Sequence, residues 1–325
     1  MVKAQFENQM LSFYAPNEWV LKFGDEQWFS TFHDPVFLNV HANIYSVKPV
    51  YFTYVNNGKV VFAVSSFEKG NKLIVPDHFL RTGFWINPHF KEFQILQFLQ
   101  EMFMQLKQSY VSMRFNLPVE ISDIRAFIWS GFKFNLMHTY EKTLNKEQDY
   151  HPNIQRMLKK PDPGFKFSVL DQNFDPILNI HQLDFYKFGV RKKHVKNYLP
   201  LLTLLRKEGF LIDLNLKLGE EVVASNLVLL NNQEKKAYVV LIAKSENWYK
   251  YGTHAKIYDE SFSYLKKLGY ETVDLFGADV PGFASFKLKF SVKLCHHYQV
   301  FYSRRSDRLK RFLGNIKKLL KRRIL

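Results

Sequence analysis

Hydrophobic and polar residues show two periodicities along the first half of the chain: some segments alternate with a period of two, and others have the spacing of an α-helix. The period-two segments at 50–55 and 59–65 are rich in β-branched and aromatic residues, and Asn57-Gly58 between them predicts a hairpin turn. Apolar residues three and four positions apart predict a long helix over 90–107. The remaining predicted elements of this half are a strand over 111–115, a short helix over 122–129 with Ser122 as its N-cap, and a strand over 132–140.

The second half of the chain repeats this order of predicted elements. A hairpin over 211–230 and a strand over 237–243 precede a helix over 253–268, which ends at Gly269. The elements that follow are a strand over 272–276, a short helix over 281–290 and a last strand over 295–302. Agreement in order, spacing and closing pattern predicts a domain duplication. The alternative is chance agreement between two α+β domains.

The predicted fold class is therefore α/β (α+β), with mixed, mostly antiparallel sheets flanked by helices. We predict one domain over 1–144, a second over 145–302, and a C-terminal helix over 303–325. The polar stretch 145–166 contains several prolines and is interpreted as the linker, with a short basic helix over 153–159.

The positive charge of the chain is concentrated at its C-terminus. The net charge is +16 over 325 residues, and the segment 303–325 holds ten Lys or Arg against one acid, Asp307. Its apolar residues recur at helical spacing, which predicts a basic amphipathic helix. Such a helix would lie on an anionic membrane or contact tRNA. The alternative is a helix docked on the second domain with a solvated outer face.

The residue inventory excludes several classes of site. A single cysteine, Cys295, excludes disulfides within the chain and cysteine-based zinc sites, and no histidine has metal-ligand spacing, so we expect no metal. Neither a Gly-x-Ser-x-Gly elbow nor a Walker loop is present. The N-terminus is not typical of a signal peptide, and no run of about 18 apolar residues occurs. We therefore expect a cytoplasmic protein, peripheral at the inner face of the membrane where 303–325 binds it.

The segment 272–300 carries an ordered motif. A strand ends in Asp274-x-x-Gly277, a turn of small residues follows, and Phe286-Lys287-x-x-Phe290 precedes the last strand. In its setting after a hairpin, a strand and a long helix, this segment resembles the closing signature of the FemABX group in the GNAT superfamily of N-acyltransferases. The resemblance implies a tandem GNAT fold that transfers an acyl or aminoacyl group to an amine.

The same resemblance implies roles for particular side chains. Asp274 would orient the acceptor amine, or would only cap a turn. Lys287 would hold a phosphate of the acceptor, or would be a solvated surface lysine. The candidate substrate-binding residues are Arg156, Tyr186, Arg191, Tyr238, Gly277 and Phe286, and the candidate donor-binding residues are Tyr251, Gly252, Thr253 and His254. The basic members of this set could equally be a solvated face, and the aromatic members could be packing.

The donor implied by the resemblance is either acyl-CoA or aminoacyl-tRNA, with no tightly bound cofactor. An acetyl-CoA-binding GNAT has a glycine-rich pyrophosphate loop before its long helix, whereas 246–255 contains one glycine, Gly252. That favours the FemABX pattern, although the first amides of the helix could still hold a phosphate. The basic helix also departs from the family's Asn-Ile-Arg-Lys, because 153–156 reads Asn-Ile-Gln-Arg.

The implied acceptor is an amine of a peptidoglycan precursor, lipid-linked or not, or of another cell-envelope compound. The alternative from another class is a non-catalytic GNAT-fold protein that binds nucleic acid or an anionic membrane. The basic segment 303–325, the altered basic helix and the missing glycine-rich loop favour that alternative.

Overall fold

The structure is a computed structural model that describes residues 9–145, 149–161, 163–187 and 192–304. The β-strands are β1 (Gln9–Tyr14), β2 (Lys48–Asn56), β3 (Lys59–Glu68), β4 (Leu73–Ile74), β5 (Gly83–Ile86), β6 (Ser112–Asn116), β7 (Lys133–Thr143), β8 (Lys166–Val169), β9 (Leu211–Leu218), β10 (Glu221–Asn231), β11 (Lys236–Lys244), β12 (Thr272–Asp274) and β13 (Lys293–Ser303). The α-helices are α1 (Pro16–Phe23), α2 (Pro35–Tyr45), α3 (Glu92–Ser109), α4 (Arg125–Trp129), α5 (Pro152–Leu158), α6 (Asp175–Lys187), α7 (Lys192–Lys207), α8 (Thr253–Lys267) and α9 (Pro281–Lys287).

The chain folds into two compact units that are interleaved along the sequence. Within the described residues, the first unit takes the chain up to Trp19, then Val47–Leu136, and then the chain from His297 onward. The second unit takes Val20–Ser46 and Met137–His296. Strands β7 and β13 therefore each contribute residues to both units. The domain boundary at residue 144 and the duplication stay predictions, and most of the predicted C-terminal helix, from residue 305, lies outside the described residues.

The first unit is built on an antiparallel sheet. Its strands follow the order β1-β2-β3-β4, and β5 also pairs with β3. The β2–β3 hairpin turns at Asn57 and Gly58, both with positive φ, as a type I′ turn requires. Helix α3 packs its apolar stripe against the same core as the sheet, and β6 pairs antiparallel with the C-terminal half of β13.

The second unit contains the sheet order β7-β12-β11-β10-β9-β8. Its pairings are antiparallel except for β11 with β12, which is parallel. Helix α8 packs one face, including Ile257, Phe262 and Leu265, against the sheet, while its outer face is exposed. Both units thus combine mostly antiparallel strands with flanking helices, and the predicted fold class is confirmed.

Two local predictions were wrong. Ser122 does not cap the short helix, because α4 begins at Arg125, whose amide donates to Asp123 Oδ1 at 3.0 Å. The strand predicted over 272–276 ends at Asp274, because the Asp274 carboxylate accepts the Phe276 amide at 2.9 Å and Phe276 has a positive φ of 50°. In the described part of the chain, no helix has both the length and the apolar character needed to span a bilayer.

Candidate functional site

The parallel strands β11 and β12 pair over a short distance and then separate. Their register runs from Lys236 opposite Thr272 to Tyr238 opposite Asp274, where β12 ends while β11 continues to Lys244. The pairing of β11 with β10 also shifts at Val240, which has no direct partner on β10. The second half of β11 stays paired with β10 on one edge, whereas its other edge has no strand beside it and faces the turn after β12.

A cavity of about 620 Å³ occupies this opening and lies within the second unit. One wall is the second half of β11, and the facing wall is the turn of Leu275, Phe276 and Gly277 together with helix α9. Helix α6 contributes His181 and Asp184 to the lining. Ligand sites in α/β proteins commonly lie where neighbouring strands diverge, since the gap offers unpaired main-chain groups and space.

Lys287 is the buried cation of this cavity, with 8% of its surface exposed. Its Nζ donates hydrogen bonds to the carbonyl oxygens of Leu275 at 2.7 Å and Phe276 at 2.9 Å. The third N–H of the ammonium has no acceptor among the described residues. Burial lowers the pKa of Lys287 from 10.5 to about 8, and the nearby Asp274 carboxylate opposes that shift.

Gly277 makes room for this ammonium. Its φ is +65°, a conformation that favours glycine, and a Cβ at this position would lie 3.0 Å from Lys287 Nζ. The sequence prediction selected Gly277 and Lys287 from one motif, and the structure brings both to the same wall of the cavity.

Asp274 lies beneath the turn and is fully buried. Its carboxylate accepts hydrogen bonds from the Thr139 hydroxyl and from the Phe276 amide, which stabilises the turn that presents two carbonyls to Lys287. This geometry is typical of a turn-capping carboxylate. A direct role of Asp274 toward an acceptor amine stays a prediction.

Three rings and one ammonium form an aromatic wall at another side of the cavity. Phe286 contacts His254 with ring centroids 4.6 Å apart, and His254 stacks on Tyr249 at 4.7 Å with an interplanar angle of 11°. Lys244 Nζ lies 4.3 Å from the centre of the Tyr249 ring. All four residues line the cavity. Of these, the sequence prediction included Phe286 and His254 and missed Tyr249 and Lys244.

His254 is held in its neutral form. Burial first, and then the positive charges of Lys244, Lys160 and Lys289, lower its pKa from 6.5 to about 4. Its Nδ1 is buried without a hydrogen-bond partner in the described part of the chain. The lysines that depress this pKa also give this side of the second unit a positive potential.

The other predicted donor-binding residues do not line the cavity. Tyr251 packs against Trp248 and Phe165, and Thr253 is buried, with its hydroxyl 3.5 Å from the Trp248 carbonyl oxygen. Gly252 is the N-cap residue directly before helix α8, with a φ of +74°, and a Cβ there would meet the Met157 carbonyl oxygen at 2.5 Å. The start of α8 is therefore in tight contact with the end of α5.

The other predicted substrate-binding residues that the structure describes do not line the cavity. Tyr238 is buried between the rings of Phe32 and Phe276. Arg156 is exposed on α5 and donates to the Asn153 side chain. Tyr186, on α6, is partly exposed and its hydroxyl accepts from Gln182 at 2.9 Å. Arg191 lies outside the described residues.

Two lining residues of α6 were not predicted. His181 is buried and its Nε2 lies 3.1 Å from the Ser225 hydroxyl, while Asp184 lines the cavity one turn later. Burial lowers the pKa of His181 to about 3, so this wall carries no histidine charge at neutral pH. A polar residue on an otherwise mixed helix gives little sequence signal. The described residues contain no cluster of three His, Cys, Asp or Glu suited to a metal ion.

The chain is similar to known proteins in structure, whereas comparisons of its sequence find no match. No protein-family model matches the chain, and no curated protein sequence does. Solved structures do match. FemX is similar with a TM-score of 0.63 and 11% identity, covering 90% of this chain and 96% of FemX.

Two further structures resemble the chain over most of its length. A tandem GNAT protein from the clavulanic acid biosynthesis pathway matches with a TM-score of 0.51 and 10% identity, covering 90% of this chain and 98% of that one. A domain described as the C-terminal domain of a lysylphosphatidylglycerol synthetase from Agrobacterium fabrum matches with a TM-score of 0.51 and 12% identity, covering 85% and 90%. The chain thus has a tandem GNAT-like fold of the FemX type, as its sequence motif predicted.

Proposed function

We propose that the second unit is an N-acyltransferase that moves an acyl or aminoacyl group from an activated ester or thioester to an amine. The observation that carries this proposal is the Lys287 ammonium, buried in the opening between β11 and β12, with one N–H that has no acceptor within the described part of the chain. The GNAT-like fold supports the same reaction class.

The proposed reaction needs little covalent chemistry from the protein. The amine nitrogen attacks the carbonyl carbon, a C–N bond forms, and negative charge collects on the carbonyl oxygen. The C–O or C–S bond then breaks, and the leaving group takes both the electron pair and the proton that the amine loses. Lys287 would donate its third N–H to the oxyanion, a contact that is commonly worth about 10²–10³ in rate when removed.

For the donor, we propose an aminoacyl ester on tRNA rather than acyl-CoA. Residues Glu246–Tyr251 are wound into a 3-10 helix, where an open glycine-rich loop would be needed to hold a pyrophosphate. At Gly252 the Met157 carbonyl oxygen approaches the start of α8, so a partial negative charge faces the position of that pyrophosphate. Lys160, Lys244 and Lys289 near His254 would attract a phosphate backbone instead.

The proposed acceptor is an amine of a cell-envelope precursor, including a lipid-linked peptidoglycan precursor. The basic segment 303–325 would keep the protein at the anionic inner face of the membrane, where such precursors are found. This part of the proposal rests on the charge pattern and on the likeness to FemX.

The test is single-turnover transfer by the full-length protein. Charged tRNA with a labelled amino acid and labelled acetyl-CoA are offered in parallel with a mixture of amine acceptors, and the labelled product is quantified. Lys287→Met should reduce transfer by about 10²–10³-fold, while the exposed control Lys266→Met should match the unmodified protein. Equal activity of Lys287→Met would overturn the assigned role. Salt-dependent tRNA or vesicle binding without transfer from any donor would favour the non-catalytic alternative.

A further inference from the structure

The aromatic wall of the cavity contains one ring that is about half exposed. Tyr249 is 48% exposed, whereas its stacking partner His254 is buried. Lys244 covers the Tyr249 ring with its ammonium at 4.3 Å, a cation–π contact on a flexible side chain. A planar base can take the place of that ammonium if the lysine turns to a neighbouring negative charge, because both bind the same π-face.

The support behind Tyr249 is a set of packed rings that carries no charge of its own at neutral pH. The His254 ring is nearly parallel to that of Tyr249 and is itself held against Phe286, which packs on Tyr258 and Phe290. Because His254 is neutral, the positive charge near this stack comes from the surrounding lysines. Of these, Lys244 both lines the cavity and touches the tyrosine.

The spacing of the wall relates the exposed ring to the proposed reaction centre. Tyr249 is separated from Phe286 by two successive ring contacts of 4.7 and 4.6 Å, and Phe286 directly precedes Lys287. In an aminoacyl nucleoside, a single ribose joins the base to the reacting ester. In an acyl-CoA, the whole pantetheine arm and a pyrophosphate separate the adenine from the thioester. Only the first arrangement places a base beside the reacting carbonyl.

We propose that Tyr249 is the stacking platform for the terminal adenine of an aminoacylated 3′-nucleoside, and that Lys244 pairs with the phosphate on the 5′ side of that nucleoside. This inference rests on the proposed function and extends it to two residues that position the donor. Since CoA also contains an adenine, the two sources of that base are separated by the test.

Binding is measured by calorimetric titration of the full-length protein with small, stable probes. The probes are adenosine 5′-phosphate carrying an aminoacyl group in amide linkage at the 3′ position, the corresponding cytidine compound, and CoA. Tyr249→Leu should weaken binding of the adenosine probe about tenfold, whereas Tyr249→Trp should retain it, because stacking on an aromatic face contributes affinity of this order. Lys244→Met should weaken binding and reduce its salt dependence.

The matched control is Trp129→Leu, which removes an exposed aromatic ring from the first unit and should leave probe affinity unchanged. Unchanged affinity in Tyr249→Leu, or no binding of the adenosine probe to the unmodified protein, would overturn the inference. So would CoA binding that is tighter than that of the probe and equally dependent on Tyr249, since that would assign the platform to CoA.

The two proposals fail in different ways. If the unmodified protein transfers a labelled group but Tyr249→Leu binds and reacts normally, the stacking platform is wrong and the acyltransferase stands. If the adenosine probe binds through Tyr249 but no donor yields product, the platform stands and the proposed reaction is wrong.

Discussion

The two units place opposite kinds of side chain at a comparable point of the chain. Each has a residue with positive φ after a short helical segment, Gly131 in the first unit and Ser291 in the second. Four residues earlier stand Phe127 and Lys287, both buried. Phe127 packs against other rings, those of Phe84, Phe103 and Phe132, at 5.9, 4.8 and 5.7 Å. Lys287 instead bonds two main-chain carbonyls in a cavity.

The strand before each short helix differs in the same sense. In the first unit, Met113 on β6 is fully buried in the apolar core. In the second, Asp274 ends β12 and caps the following turn. The second unit also has the parallel β11–β12 pair that opens after three residues. A shared order of elements therefore builds an aromatic core at this point in one unit and a cavity with a buried lysine in the other, and the buried side chains make the difference.

The largest expected effect on stability comes from Phe127, the residue of the compared pair that packs in the core. Phe127→Ala should destabilise the protein by about 3–5 kcal/mol, because a fully buried ring is lost and its neighbours cannot close the void. Urea unfolding measures this change. The exposed neighbour Trp129→Ala should shift stability by no more than about 0.5 kcal/mol. A small effect at Phe127 would contradict its role as core.

The role of Lys287 should be visible in the pH dependence of the transfer rate. With a pKa of about 8, Lys287 loses its proton as pH rises, and transfer should fall about tenfold per pH unit beyond that value if the ammonium stabilises the oxyanion. Lys287→Arg stays charged and should lose this alkaline limb even if it is slower. Transfer that increases through pH 8 would instead indicate that the neutral amine acts as a base.

Acid should destabilise the second unit through the buried His181. His181 has a pKa of about 3 in the folded protein against 6.5 ordinarily, so the unfolded chain binds the proton first as pH falls. Stability is fully present above about pH 6.5 and declines below it, by about 2 kcal/mol at pH 5 from this group alone. His181→Asn should flatten that decline in urea unfolding, and the exposed His89→Asn should not.

The smallest expected effect on stability comes from replacing either of two glycines with positive φ, Gly131 and Gly277. Gly131→Ala should cost about 1–2 kcal/mol of stability through backbone strain alone, since nothing lies within 4 Å of the new methyl group. Gly277→Ala carries the same strain and also crowds Lys287 Nζ at 3.0 Å. It should therefore slow transfer by roughly tenfold or more, whereas Gly131→Ala should leave transfer unchanged. Equal transfer rates in the two variants would separate Gly277 from the site.

Much of the fold could be predicted from local patterns. The β2–β3 hairpin was readable from Asn57-Gly58, and α3 and α8 from apolar spacing, because turn chemistry and helical periodicity act over a few residues. The motif around Asp274, Gly277 and Lys287 was also readable, as a resemblance. The short strand β5 and helix α1 were not predicted, since neither is long enough to show a period.

What the sequence by itself determined was the type and order of the elements and the residues of one motif. Only the tertiary structure decided which side chains share the cavity. In the folded protein, Lys287 is buried against two carbonyl oxygens, and the Asp274 carboxylate caps a turn. Tyr238 and Tyr251 pack against other aromatic rings, and Tyr249 stacks on His254. The physical reason is range: hairpins and helices follow from neighbours along the chain, whereas a site depends on where separate strands diverge and on which charges burial brings together.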